Sequence, residues 1–168
     1  MDRTTLTAPA LDNQLAADRM LRNALAHHLP ESVFEPVHEW LHEEGARQQR
    51  RYEADIRRER GNVQNEDAWG VPASHTTVPD SWHRARRSLT QHGLLKMAQA
   101  QPHGVHSRLV QMALMHIAAP EAPGLAPLIA TTDVAVHTLM RTGTADHLER
   151  LIPRLTSTDP DAAWLCDL

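Results

Sequence analysis

The sequence holds a single cysteine, Cys166, so it can form no internal disulfide and gives no sign of an oxidising compartment. It has no run of about eighteen uncharged apolar residues, the least that spans a bilayer. The start, "MDRTTLTAPALDNQ", lacks the apolar stretch that an export signal carries after its charges. These absences give the expectation of a soluble, cytoplasmic protein with no membrane contact. There is no excess of basic charge either: the net charge is -4 and the pI about 6.3, so nucleic acid is an unfavoured partner. The basic runs "RQQRR", "RRER" and "RARR" lie among Glu and Asp and read as solvated helix faces, not as a phosphate-binding patch. Lys is almost missing, Lys96 being the only one, a compositional bias that reflects the genome and not a function. No Gly-rich phosphate loop, internal repeat or sustained period-two alternation occurs.

What the sequence does have is helical periodicity. Its 168 residues make about one domain, long enough to bury a core without disulfides or metals. Leu11, Leu15, Leu21, Leu25 and Leu29 recur at helical spacings, with Asp12 or Asn13 as N-cap and Pro30 as the stop. A longer pattern from Pro30 to Arg60 carries Val33, Val37, Leu41, Tyr52 and Ile56, and Gly45 interrupts it as a kink or a join. Residues 61 to 80 read as a connection held by Trp69. Asp80 or Ser81 then caps a helix with Trp82, Ala85, Leu89 and "GLLKMA", and another spans Val105 to Ala119 with Leu109, Val110, Met112, Ala113 and Ile117. "GLAPLIATTDVAVHTLM" is apolar nearly all round, as for a helix enclosed by neighbours. A last helix starts at Thr144, turns Leu148, Leu151, Ile152 and Leu155 inward, and is bent by Pro153. The expected fold is all-α, a bundle of about six helices, with residues 1–10 a flexible tail and residues 11–168 one helical domain.

One motif invites a chemical reading. "HEWLHEEG" fits His-Glu-x-x-His, which on a helix puts His38 and His42 one turn apart for a zinc ion, with Glu39 as the base that activates a bound water. A zinc-dependent hydrolase is therefore an alternative function. A catalytic zinc needs a third protein ligand, and where the Gly-containing version of the motif supplies a His the chain has Gln48. Glu59 or Glu66 would serve only if the chain turned back. Twelve His in the sequence make such a match inexpensive. His106, His116 and His137 fall within or beside apolar faces and read as satisfied core residues, and Met112, Met115 and Met140 as core filler. Cys166 lies too near the C-terminus to be held as a nucleophile.

From about residue 66 onward the ordered series "DAWG", "PDSWHRA", "HGLLKMA", "SRLVQMAL", "PLIATTD" and "ERLIPRLTSTDPDAAW" resembles the N-terminal helical domain of acyl-CoA dehydrogenases, in particular the adaptive alkylation-response branch. The first helices fit the same domain more loosely, so the resemblance covers roughly residues 10 to 168. In that family the helical domain leads into a β-domain with Met/Thr-Glu and Gly-Gly-Ser-Asp stretches against FAD, then into a second helical domain holding the catalytic Glu. Here "DPDAAW" is followed by "LCDL", without those motifs. Where the family tends to have Met-Thr-Asp-Gly beside flavin and acyl chain, this chain has Thr131, Thr132, Asp133 and Val134. Thr132 and Asp133 are thus the cofactor-site residues that carry over.

The resemblance implies a small accessory subunit with no catalytic residues of its own, acting in a hetero-complex with a second protein subunit and shaping that partner's active site in specialised metabolism. It implies no cofactor on the chain alone, with FAD only in a complex. A DNA-associated relic of the alkylation-response branch is a further alternative, disfavoured by the acidic net charge.

Overall fold

The structure, a computed structural model, describes residues 13–55, 62–66, 72–77, 80–120 and 124–166, with side chains outside 51–79. The expected N-terminal tail, Trp69, Ile56 and Glu59 lie outside the described residues, as do the side chains of Tyr52 and Glu66. The fold is helical as expected. The helical segments read from the sequence are all present, three of them divided.

The first division falls at Asp18. Asn13 caps α1 (Gln14–Ala17), its Oδ1 accepting from the Leu15 and Ala16 amides at 3.0 and 3.2 Å. Asp18 then takes an extended backbone and caps α2 (Arg19–His28), accepting from the Leu21 amide at 2.8 Å. That amide is the main reason the Asp18 carboxyl titrates below its ordinary range; burial opposes it, and His116, 2.9 Å away, adds to the lowering. The second division is at Gly93, whose φ of 67° is open to glycine and ends α4 (Asp80–Gln91) before α5 (Leu94–Ala100). The third separates α8 (Ala145–Arg150), capped by the Thr144 side chain, from α9 (Ile152–Leu155). Pro153 stands in the first turn of α9, where its missing N–H leaves no bond unmade, so it starts a helix and does not bend one.

Between these runs α3 (Glu31–Asp55), unbroken through Gly45. The join expected there is absent. Gly45 is needed for another reason: a Cβ would lie 2.6 Å from Asn13 Oδ1. Asn13 sits almost wholly buried against α3 and donates from Nδ2 to the His42 carbonyl at 2.8 Å. The glycine is the hole that admits the cap of α1.

The core gathers around α6 (Ser107–Ala118), which follows a 3-10 turn at Gly104–His106 and packs on α3, α4 and α5. It buries Val110, Ala113, Leu114 and Ile117 among Leu15, Leu25, Leu41, Leu89, Leu94 and Leu125. Met112 faces out. The next helix, α7 (Leu125–Thr142), buries Leu125, Ile129, Thr132 and Val136 along one stripe. It is not enclosed on all sides: Val134 is 64% and Met140 50% exposed. Leu148 is likewise exposed, leaving Leu155 as the buried residue of the last segment. Of the His expected in the core, His106 is half-buried, and His116 and His137 are exposed, the first against Asp18 and the second 3.5 Å from Arg141 Nη1. Met115 packs on the core while Met112 and Met140 do not.

The connection between α3 and α4 contains a two-stranded antiparallel hairpin, β1 (Asn62–Glu66) and β2 (Pro72–Thr77), with Asn62 opposite Thr77 and an irregular register between Gln64 and Glu66. "NVQNE" and "PASHTT" are too polar to show an apolar alternation, so the period-two test had nothing to register.

The contact between Asn13 and Gly45 makes a test by sign. In an ordinary helix interior, Gly to Ala stabilises by about 1 kcal/mol. Here Gly45→Ala should destabilise by about 1–3 kcal/mol in urea unfolding, as an overpacked site does, and Asn13→Ala should cost about 1 kcal/mol through the lost cap. In the double variant the alanine at 45 no longer meets the amide, so the two losses should sum to more than the measured one. A Gly45→Ala protein more stable than the parent would show that the approach is not tight.

Candidate functional site

The most concentrated chemistry lies where α3 meets α4, at a residue that sequence reading passed over. Glu44 is 1% exposed. Its Oε1 accepts from Ser88 Oγ at 3.1 Å and Gln48 Nε2 at 3.5 Å. Its Oε2 lies 3.1 Å from Arg47 Nε and 3.4 Å from His92 Nε2. The Arg47 approach is off-line for a hydrogen bond, so it acts chiefly as a nearby positive charge. The His92 ring is fixed in turn by the Trp40 ring, edge-on at 5.1 Å. Burial pushes the Glu44 pKa up, but contacts with His92 and Ser88 and the Arg47 charge outweigh it and lower it to about 2. Ser88 donates to the carboxylate and not to an imidazole, so no serine is activated here. What the arrangement does is fasten α3 to α4 with a carboxylate ionised at neutral pH.

A signal was present. Val37, Leu41, Glu44 and Gln48 follow one another at helical spacing, and all four are buried. Glu44 and Gln48 continue the apolar line of α3, where the sequence reading passed on to Tyr52.

A second cluster holds the residues carried over from the family resemblance. Asp133, on α7, is bound by Arg108 Nη1 through a short contact to Oδ2 and by Gln111 Nε2 at 3.2 Å through Oδ1. Gln111, 1% exposed, also donates to the Leu94 carbonyl at 2.9 Å and accepts from Arg108 at 2.8 Å. Thr132 is fully buried; its hydroxyl donates to the Leu128 carbonyl at 2.7 Å and accepts from the Cys166 amide at 2.8 Å. Both residues are therefore committed within the chain. The Thr132 hydroxyl is used in both directions, and the Asp133 carboxylate is held from two sides.

The structure brings His38 and His42 together on one face of α3, with rings stacked at 6.4 Å between centroids and His38 also against Phe34 at 5.2 Å. Glu39 and His42 are exposed, and Val37 and Leu41 are packed behind them. Because α3 is continuous through Gly45, position 48 does not turn back toward the pair: Gln48 is buried beside Glu44. Among the described residues no three His, Cys, Asp or Glu side chains are placed to hold a metal ion. No described helix is long and apolar enough to cross a membrane.

Two outcomes follow. A folded pKa of about 2 against an ordinary 4.5 means that Glu44 stabilises the fold above pH 4.5 and loses that contribution as pH falls toward 2. The full loss is on the order of 3 kcal/mol. Glu44→Gln should be less stable than the parent at pH 7 and show a flatter fall in stability between pH 4.5 and 2, by urea unfolding; an unchanged slope would remove Glu44 from the account. Separately, protein purified without a His-tag should contain well under one zinc per chain by elemental analysis, with His42→Ala making no difference. Stoichiometric zinc lost in that variant would establish the hydrolase alternative.

No protein-family model matches the chain. Acyl-CoA dehydrogenase family member 11 of Caenorhabditis elegans is 28% identical over 165 residues, which cover 94% of this chain and 27% of that protein. A solved structure of the C. elegans protein ACDH-11 in complex with C11-CoA superposes with a TM-score of 0.75 at 28% identity, over 95% of this chain and 28% of that one. The apo form of Bd2924 gives a TM-score of 0.78 at 24% identity over 95% of this chain and 32% of that one, a likeness of fold. The chain thus spans about 27% of the length of its curated relative. In sequence and in fold together, its resemblance is to the helical domain of the acyl-CoA dehydrogenase family.

Proposed function

We propose that the chain is a small helical accessory subunit that shapes the active site of an acyl-CoA dehydrogenase-like partner polypeptide in a hetero-complex, within specialised metabolism, and has no catalysis of its own. The observation that carries this reading is the match of 95% of the chain to 28% of a protein solved with C11-CoA bound. The ligand class of the complex is then an acyl-CoA thioester. The state of the site residues supports a non-catalytic role: Asp133 is held by Arg108 and Gln111, Thr132 is buried and saturated, and Glu44 is locked between helices. Any flavin in the complex would take its contacts from the partner's residues.

The need for a partner is supported by the outer face of α7. Val134 is 64% exposed there, and Met140 near the end of the helix and Met112 on α6 are 50% and 42% exposed. Apolar surface of this kind marks an interaction face when it is contiguous.

Size-exclusion chromatography with light scattering, run beside binding of an apolar dye, tests the reading. The chain alone should self-associate or bind dye. Val134→Glu should suppress both while changing stability by less than about 0.5 kcal/mol, because the side chain is exposed. A dye-silent monomer would count against the proposal.

A further inference from the structure

After α9 the last described residues, 163–166, form neither helix nor strand and reach both α4 and α7. Two side chains from those helices take hold of its backbone. Arg86 Nη2 donates to the Ala163 carbonyl at 2.8 Å, and Thr132 Oγ1 accepts from the Cys166 amide at 2.8 Å. Between these points the Trp164 amide donates to the Arg154 carbonyl at 3.0 Å, and the Arg154 guanidinium lies 4.4 Å from the Trp164 ring centroid. Leu165 packs inward on the core while Trp164 faces solvent. Underneath is an apolar crevice with Leu89, Leu94, Leu125 and Ile129 in its wall, closed on one side by Ala163 and Leu165. Its open volume of about 10 Å³ is room for roughly one water.

Thr132 is unusual among these groups. A threonine within a helix commonly bonds the carbonyl four residues back, as Thr131, Thr142 and Thr156 do here. Thr132 makes that bond and in addition accepts an amide from 34 positions away, so its hydroxyl is used in both directions while fully buried. Valine would fill the same space and offer no acceptor.

The geometry points to Thr132 and Arg86 as a two-point clasp that holds residues 163–166 as a strap over the crevice between α4, α5 and α7, a strap that lifts as one unit and opens that apolar wall when either point is released. The inference stands apart from the proposed accessory role and survives its failure.

Amide hydrogen exchange reads the clasp, provided each variant is scored at the far anchor. Arg86→Met should speed exchange at the Cys166 amide, and Thr132→Val at the Trp164 amide, each by roughly fivefold, the effect of losing one hydrogen bond. Thr132→Ser, which keeps the hydroxyl, should exchange like the parent. The amides of Leu114 and Ile117, in the centre of α6, should not change. Variants that affect only the amide next to them would show two independent contacts and no strap. Exchange rising equally at Leu114 and Ile117 would make the segment part of the core, and would equally overturn the clasp.

Discussion

A polar side chain withdrawn from water must find its hydrogen-bond partners inside the protein, and that constraint sets how the helices of this bundle meet. Apolar packing alone tolerates sliding. A buried amide or carboxylate does not, because a shift of one residue leaves it unsatisfied. Four junctions here hold one such group each. Asn13 joins α1 to α3, Glu44 joins α3 to α4, Gln111 joins α6 to α5 and α7, and Thr132 joins α7 to the segment at 163–166. Leucines supply the attraction and these four residues supply the register.

The same division explains how much was legible in the sequence. Leu15, Leu25, Val37, Leu41, Val110 and Ile117 announced their helices because burial of one face imposes a spacing that survives in a linear reading. The breaks within helices were less visible. Asp18 keeps the Leu spacing of its neighbours, and only the three-dimensional path shows that its side chain caps a new helix. Glu44 differs from Glu43 beside it by standing on the buried line of Val37 and Leu41, but its partners Ser88 and His92 lie in another element and cannot be read from that spacing. Gly45 was read as a local effect on its own helix when its cause lies at Asn13, in another. Long-range partners leave no periodic trace.

For function, this arrangement separates what holds the molecule together from what it presents to others. The ionisable groups with depressed pKa values, Glu44 and Asp18, are both engaged in helix junctions. Perturbed titration marks functional sites in many proteins, but structural ion-pair networks produce it as well, and Glu44 belongs to the second kind. Exposed apolar side chains are present beside them, among them Met112 on α6 and Val134 and Met140 on α7.

The hairpin between α3 and α4 takes on a different meaning once Glu44 and Ser88 are seen to hold those two helices together. With its ends tied below it, the connection is a closed loop, and the entropy of closing a loop grows only with the logarithm of its length. Doubling the connection would cost about 0.6 kcal/mol. The connection between α3 and α4 is therefore a part of this chain where length can change cheaply, while the helices it joins keep their register.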